Sequence, residues 1–207
     1  MKRGALPSLW VLAFLAVLIW SGIAPKDRTV WFLEAAPALI ALPILALTRS
    51  RFPLTPLVYV LILVHAIILM VGAHYTYAEV PLFDWLRDSF DHARNNYDKL
   101  GHFAQGLVPA MVAREILIRN AVVRGPAWRN FFIVCFCLAV SAFYELIEWW
   151  VALLSAQGAE SFLGTQGYAW DTQSDMAWAL AGAVIALGVF GRLHDRQLRR
   201  LVEAGAR

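Results

Sequence analysis

One run of the sequence carries two carboxylates inside an otherwise apolar segment: Tyr144-Glu145-Leu146-Ile147-Glu148-Trp149-Trp150. The residues around this run, from 130 to 154, are long and apolar enough to cross a bilayer as a helix. An ionisable side chain at bilayer depth costs about 2.5 kcal/mol or more, so intramembrane carboxylates are candidates for a functional site. Glu145 and Glu148 therefore indicate both a membrane-spanning helix and a candidate functional site.

The composition excludes an ordinary soluble domain. The chain of 207 residues is 60% hydrophobic and only 16% charged, whereas roughly a quarter of residues are charged in soluble domains. The formal net charge of +3 comes without a nucleic-acid-binding motif, so we expect no nucleic-acid partner. Cys135 and Cys137 are two apart on a predicted helix and point to different faces, which favours packed thiols over a disulfide.

Six windows have the length and composition of a transmembrane helix: 8–24, 29–47, 55–73, 100–118, 130–154 and 174–191. Backbone polar groups in lipid must pair within their own segment, and no strand-like alternation is present, so these windows predict helices. We expect an all-α, polytopic membrane helix bundle, with one transmembrane domain over 1–207 that includes a basic cytoplasmic tail over 192–207. Lys2 and Arg3 before the first window resemble the start of a signal peptide. We expect an uncleaved first span, although cleavage is left open.

The distribution of Lys and Arg predicts the orientation. Twelve of these residues lie in the N-terminal segment, the second and fourth connections and the tail, against five in the remaining connections. Because cytoplasmic loops carry the excess of Lys and Arg, both termini are predicted to be cytoplasmic, in the cell inner membrane. The connection from Ser155 to Gln173 contains neither residue type, which favours the outer side.

Two connections on the predicted outer side are long enough to carry function. In the first, apolar residues from Pro81 to Arg94 recur at helical spacing against charged ones, which predicts a helix lying in the membrane interface. The second, Ser155 to Gln173, has a composition typical of turns in the headgroup layer. The residues that indicate this are Gly158, Phe162, Gly164, Gly167, Tyr168 and Trp170.

Helical rise places most ionisable residues of the spans at one depth, on the outer side. Glu145 and Glu148 lie in the outer half of the fifth span. The fourth and sixth spans run inward, and their outer ends carry Asp98, His102, Asp171 and Asp175. Asp98 and His102 are four residues apart and share a helix face, and the same holds for Asp171 and Asp175.

Glu34 and His74 also fall on the predicted outer side, whereas His65 lies near the midplane and Arg114 in the inner half. All four have simpler explanations in packing, headgroup contacts, snorkelling or local pairing. Asp98 and Asp175 can cap helix N-termini, and His102 can be a hydrogen-bonded core residue. Glu145 and Glu148 are harder to explain in this way because neither lies at a helix end.

The pattern Asp98-Lys99-x-x-His102, Glu145-x-x-Glu148 and Trp170-Asp171-x-x-x-Asp175, with Gly182 downstream, resembles the YjdF family of uncharacterised bacterial inner-membrane proteins. The likeness runs from about residue 8 to the last span. More distantly, the pattern is similar to the VanZ-like family, which is associated with glycopeptide (teicoplanin) resistance at the cell envelope. The chain departs from that family at Ala179, where the family tends to carry Asn. Neither resemblance implies an established reaction.

Three functions remain open. The first is an accessory or envelope-binding protein whose outer side recognises lipid headgroups or a lipid-linked or cell-wall component. The second is a metal-dependent membrane hydrolase, with His102, Glu145 and Glu148 as candidate catalytic residues and a divalent ion, Zn, Mn or Mg, as cofactor. The candidate metal ligands are Asp98, His102, Glu145, Glu148, Asp171 and Asp175. The third is a proton-coupled transporter. The expected partners are the lipid bilayer and a lipid-linked or cell-wall component, and the pattern predicts no oligomeric state.

Overall fold

The computed structural model describes residues 5–154 and 165–205, and in this part of the chain it contains seven α-helices and no strand. The helices are α1 (Ala5–Gly22), α2 (Arg28–Thr48), α3 (Pro56–Tyr75), α4 (Pro81–Ser89), α5 (Tyr97–Arg119), α6 (Pro126–Leu154) and α7 (Asp171–Gly205). The prediction of an all-α fold is confirmed. The predictions for Gly158, Phe162 and Gly164, and for the terminal charges Lys2, Arg3 and Arg207, lie outside the described residues.

Four of the described helices, α2, α3, α6 and α7, are long and apolar enough to cross a membrane, and α1 is a shorter apolar helix. The remaining predicted span, 100–118, falls on α5, which is 23 residues long. Leu12, Ile44 and Leu153 are 63%, 53% and 66% exposed, as expected of side chains that face lipid. The number of helices that cross the bilayer, and the cytoplasmic position of both termini, stay predictions.

The helices form two compact units. The first unit comprises Met1–Leu47, Leu63–Gly101 and Glu148–Ala169, and the second comprises Thr48–Ile62, His102–Ile147 and Trp170–Arg207. Four helices contribute residues to both units: α3, α5 and α6, and α2 through its last residue, Thr48.

The core of the first unit is built around Tyr77, which lies in a single turn of 3-10 helix, Tyr77–Glu79. Its ring occupies the space that a Cβ atom at Gly72 or Gly101 would need. Small residues on α3 and α5 therefore make room for a large aromatic side chain. The ring also packs against Tyr97 at 5.5 Å between centroids.

The helix predicted from Pro81 to Arg94 exists but is shorter than expected, and its position in the membrane interface stays a prediction. The helix ends at Ser89 rather than near Arg94, because the chain leaves helical geometry and Asp91 adopts a left-handed φ of 53°. The hydrogen bond from Arg87 to Asp88 raises the pKa of the Arg87 guanidinium above its usual value, so the side chain stays charged. α4 exposes the apolar side chains of Leu82 and Trp85, and Phe90 follows directly after the helix. Each of the three is more than 60% exposed.

In the second unit, α5 and α7 run parallel and approach each other backbone to backbone. A Cβ atom at Gly106 would collide with the carbonyl of Ala179, and one at Gly182 would collide with the carbonyl of Phe103. Such close approach through small residues is typical of helix pairs in membranes. The close contact fixes the register of the two helices. The register in turn determines which residues of α7 lie beside His102.

An apolar layer fills the middle of the second unit, where α3, α5, α6 and α7 meet. Its core residues are all fully buried: Val58, Ala110, Met111, Ile133, Cys137, Ala183 and Ala186. The predicted basic tail is a continuation of α7, which remains helical to Gly205. It is partly packed, because His194 is 0% and Leu198 only 6% exposed.

Candidate functional site

His102 and Glu145 face each other across α5 and α6 in the second unit. His102 Nε2 lies 3.8 Å from Glu145 Oε1, and the two side chains are 6% and 8% exposed. This separation is too long for a hydrogen bond. It is close to the distance of about 3.4 Å that two ligands keep around a tetrahedral zinc ion with bonds of about 2.1 Å.

Gln105 orients the imidazole of His102. Its Oε1 lies 3.1 Å from His102 Nδ1, one turn further along α5. Because an amide oxygen only accepts hydrogen bonds, Nδ1 is the ring nitrogen that donates to Gln105, and Nε2 is the one directed towards Glu145. Metal-binding histidines are commonly held in this way, with the second ring nitrogen donating to an oxygen.

Asp175 on α7 brings a second carboxylate to the same imidazole. One of its oxygens lies within 4.8 Å of a His102 ring nitrogen, and the side chain is 2% exposed. The placement follows from the packing described above. Gly106 is one turn after His102, Ala179 is one turn after Asp175, and their close contact puts the two preceding turns side by side.

The other predicted ligands are also buried. Asp98 and Glu148, which belong to the first unit, are 8% and 9% exposed, and Asp171 at the start of α7 is 6% exposed. Asp98 precedes His102 by one turn of the continuous helix α5. The Oδ2 atom of Asp98 lies 3.6 Å from Arg94 Nη2.

Glu148 follows Glu145 by three residues on α6. Asp171 belongs to none of the candidate ligand groups found among the described residues. The roles of Asp98, Glu148 and Asp171 as metal ligands stay predictions.

A second buried polar cluster, which the sequence pattern did not predict, lies at the other end of the second unit. Glu115 is 0% exposed. Its carboxylate accepts hydrogen bonds from Thr55 N at 3.0 Å, Thr55 Oγ1 at 2.8 Å, Arg119 Nη1 at 3.0 Å and His194 Nε2 at 3.0 Å. Four donors satisfy this carboxylate, so the cluster holds the start of α3, the end of α5 and the extension of α7 together.

Arg114 joins the same cluster. It donates from Nη1 to His194 Nδ1 at 2.9 Å and from Nη2 to Asp195 Oδ1 at 2.7 Å. Arg114 was expected either to snorkel to the cytoplasmic side or to pair locally, and it pairs with these two residues of α7. The expectation of one outer polar layer was wrong, since Glu115 lies in the inner half of the predicted span 100–118. Its spacing of four residues from Arg119 was the signal available in the sequence.

The remaining ionisable residues of the sequence analysis lie in the first unit. His74 Nδ1 contacts Ser21 O at 3.0 Å, and its ring packs on Trp20 at 4.5 Å, which agrees with a packing role. Glu34 on α2 is 5% exposed and His65 on α3 is partly buried. Neither residue belongs to a candidate ligand group among the described residues.

Part of the long connection between α6 and α7 is fastened to the segment before α5 in the first unit. Asn95 N donates to Gln166 Oε1 at 3.0 Å, and Gln166 Nε2 donates back to Asn95 O at 2.9 Å. The cations of Arg94 and Lys99 lie 5.6 Å and 5.3 Å from the centre of the Tyr168 ring. These contacts hold residues 165–168 against the chain that leads into α5.

Comparison with known proteins identifies the family. A family described as predicted membrane protein (DUF2238) matches residues 6–196. Inner membrane protein YjdF of Escherichia coli (strain K12) is 54% identical over 189 residues, which cover 91% of this chain and 90% of that protein. No solved structure matches. These findings confirm the resemblance to the YjdF family, and the chain belongs to the DUF2238 family of predicted membrane proteins.

Proposed function

We propose that this membrane protein binds a divalent metal ion at the site around His102 and there recognises or acts on a component of the cell envelope. The observation that carries the proposal is the oriented imidazole of His102, whose Nε2 faces Glu145 while Asp175 lies within 4.8 Å of the same ring. The three side chains come from three different helices, so the fold assembles the site.

The donor set decides which ions fit. One imidazole with two or more carboxylates suits Zn or Mn, and Mg is favoured where oxygen ligands predominate. The sequence pattern adds Asp98 and Glu148 as further proposed ligands. A bound ion of this kind supplies Lewis-acid polarisation and an activated water. His102, Glu145 and Asp175 would hold the ion, and Glu148, three residues after Glu145 on α6, would act as the general base that the sequence pattern proposes.

The predicted orientation supports an envelope component as the ligand. With both termini in the cytoplasm, His102 and Asp175 lie near the outer ends of α5 and α7. A lipid-linked or cell-wall component reaches this side of the inner membrane. The proposal therefore covers both the envelope-binding function and the metal-dependent hydrolase.

The second unit gives little support to a proton-coupled transporter. The His102 cluster and the Glu115 cluster are 13 residues apart on α5, which corresponds to about 20 Å of helix. Between them lies the apolar layer that contains Met111, Ile133 and Ala183, all fully buried. A proton path needs polar groups or water, so this arrangement favours a site reached from one side.

The metal content of the purified protein tests the proposal. The protein in detergent is loaded with Zn, Mn or Mg, dialysed, and measured by mass spectrometry for bound metal. We expect one ion per chain, lost in His102→Ala and reduced in Glu145→Gln.

Two control variants match these changes. His74→Ala removes an imidazole that packs in the first unit, and Glu79→Gln removes an exposed carboxylate that pairs with Lys26. Both are expected to retain the ion. Wild-type protein that binds none of the three metals, or a His102→Ala variant that binds as much as wild type, overturns the proposal.

A further inference from the structure

Ser141 on α6 is a buried polar residue with no assigned role. Its side chain is 0% exposed, and its Oγ has no hydrogen-bond partner among the described residues. A buried hydroxyl in this state loses the hydrogen bonds that it makes with water in the unfolded chain, which destabilises the folded protein. An alanine at this position would not carry that penalty, so the hydroxyl calls for an explanation.

The neighbours of Ser141 on α6 show where it points. One turn before it, Cys137 Sγ contacts Gly106 O at 3.5 Å. One turn after it, Glu145 faces His102 at 3.8 Å. Residues four apart share a helix face, so Ser141 faces α5 between these two contacts.

The same two contacts fix the depth of Ser141 along α5. Gly106 follows His102 by one turn, and Gln105, which holds the His102 ring, lies between them. Ser141 is therefore directly below the His102 and Glu145 pair, and above the apolar layer that begins at Cys137.

We infer that Ser141 is the floor of the His102 site and that its hydroxyl contacts the hydrated metal ion bound there. This inference rests on the proposed function. It extends the site by one turn of α6 and adds a neutral oxygen donor to a set of one imidazole and carboxylates. Neutral hydroxyl oxygen suits the hydration shell of hard divalent ions, which keep several waters when protein-bound.

Two measurements on Ser141→Ala test the inference. Thermal unfolding in the presence of a chelator measures the stability of the metal-free protein. Calorimetric titration with Mn or Zn measures the metal affinity. We expect the metal-free variant to be as stable as wild type or more stable, because an unsatisfied hydroxyl is removed. Metal affinity should fall about tenfold, as for other groups around a metal.

Ser21→Ala is the contrasting control. Ser21 is equally buried, but its hydroxyl donates to Leu18 O at 3.0 Å and accepts from Trp31 Nε1 at 3.1 Å. Its replacement should lower the melting temperature and leave metal affinity unchanged. Wild-type metal affinity in Ser141→Ala overturns the inference while the proposed function stands, whereas failure of the wild-type protein to bind any metal overturns both.

A gain-of-ligand variant tests the same contact independently. Ser141→Cys, in a background with Cys135→Ser and Cys137→Ala, places a thiol at the proposed floor. Because thiolates select soft ions, titration with cadmium should produce the ultraviolet absorption of a cadmium–thiolate bond. Absence of this absorption while cadmium binds shows that position 141 does not reach the ion, and overturns the inference.

Discussion

His194 Nε2 lies 3.0 Å from Glu115 Oε2, and neither side chain has any exposed surface. Arg114 donates to the other ring nitrogen at 2.9 Å, so Nδ1 must accept and Nε2 must carry the proton that Glu115 receives. The imidazole is therefore neutral in this cluster. The second unit thus has a fully paired polar cluster at one end and the candidate metal site at the other.

Glu115→Ala should strongly destabilise the protein. Removing one member of a buried, hydrogen-bonded ion pair costs about 3–5 kcal/mol, because the partners are left buried without it. Thermal unfolding in detergent measures the effect. Glu79→Ala is the matched control, since its pair with Lys26 is half exposed and is worth less than about 1 kcal/mol. Equal melting temperatures for the two variants would contradict a structural role for the Glu115 cluster.

Two glycines of α7 should respond in opposite directions to the same substitution. Gly182→Ala forces a methyl group against the carbonyl of Phe103, and such overpacking costs about 1–3 kcal/mol. Gly188→Ala meets no atom within 4 Å, and alanine is favoured over glycine in a helix by about 0.5–1 kcal/mol. Melting temperatures should therefore fall for the first variant and rise for the second. A rise for both would show that α5 and α7 are not in close contact.

Gln166→Ala should loosen the segment 165–168. The substitution removes two hydrogen bonds with Asn95, each worth about 0.5–1.5 kcal/mol. Hydrogen exchange followed by mass spectrometry should show faster exchange at Asn95 and in this segment. Gln173→Ala, at an exposed position of α7, serves as the control. Unchanged exchange in Gln166→Ala would mean that these contacts do not hold the segment.

The predicted orientation can be tested with single cysteines in a variant that lacks Cys135 and Cys137. A cysteine at Ala169 should react with an impermeant maleimide added to intact spheroplasts. A cysteine at Val122, in the connection between α5 and α6, should react only after the membrane is broken. The reverse pattern would place both termini outside and would remove the argument for an envelope ligand.

The helical fold and the buried residues of the site could be predicted from the sequence, because hydrophobic length and the cost of charges in lipid are local properties. His102, Glu145 and Asp175 were predicted for that reason. The Glu115 cluster was missed because its partners Thr55 and His194 come from distant segments, and His194 was assigned to the basic cytoplasmic tail. Ser141 gave no signal, since a serine in an apolar helix is ordinary until its partners are known.

The most direct test of the metal site is pulsed electron paramagnetic resonance of the Mn(II)-loaded protein, which detects a ligating nitrogen through its coupling to the metal spin. We expect nitrogen coupling from one imidazole in the wild-type protein and in His74→Ala, and its loss in His102→Ala. Bound Mn(II) without nitrogen coupling in the wild-type protein, or coupling that persists in His102→Ala, would contradict a metal site built on His102.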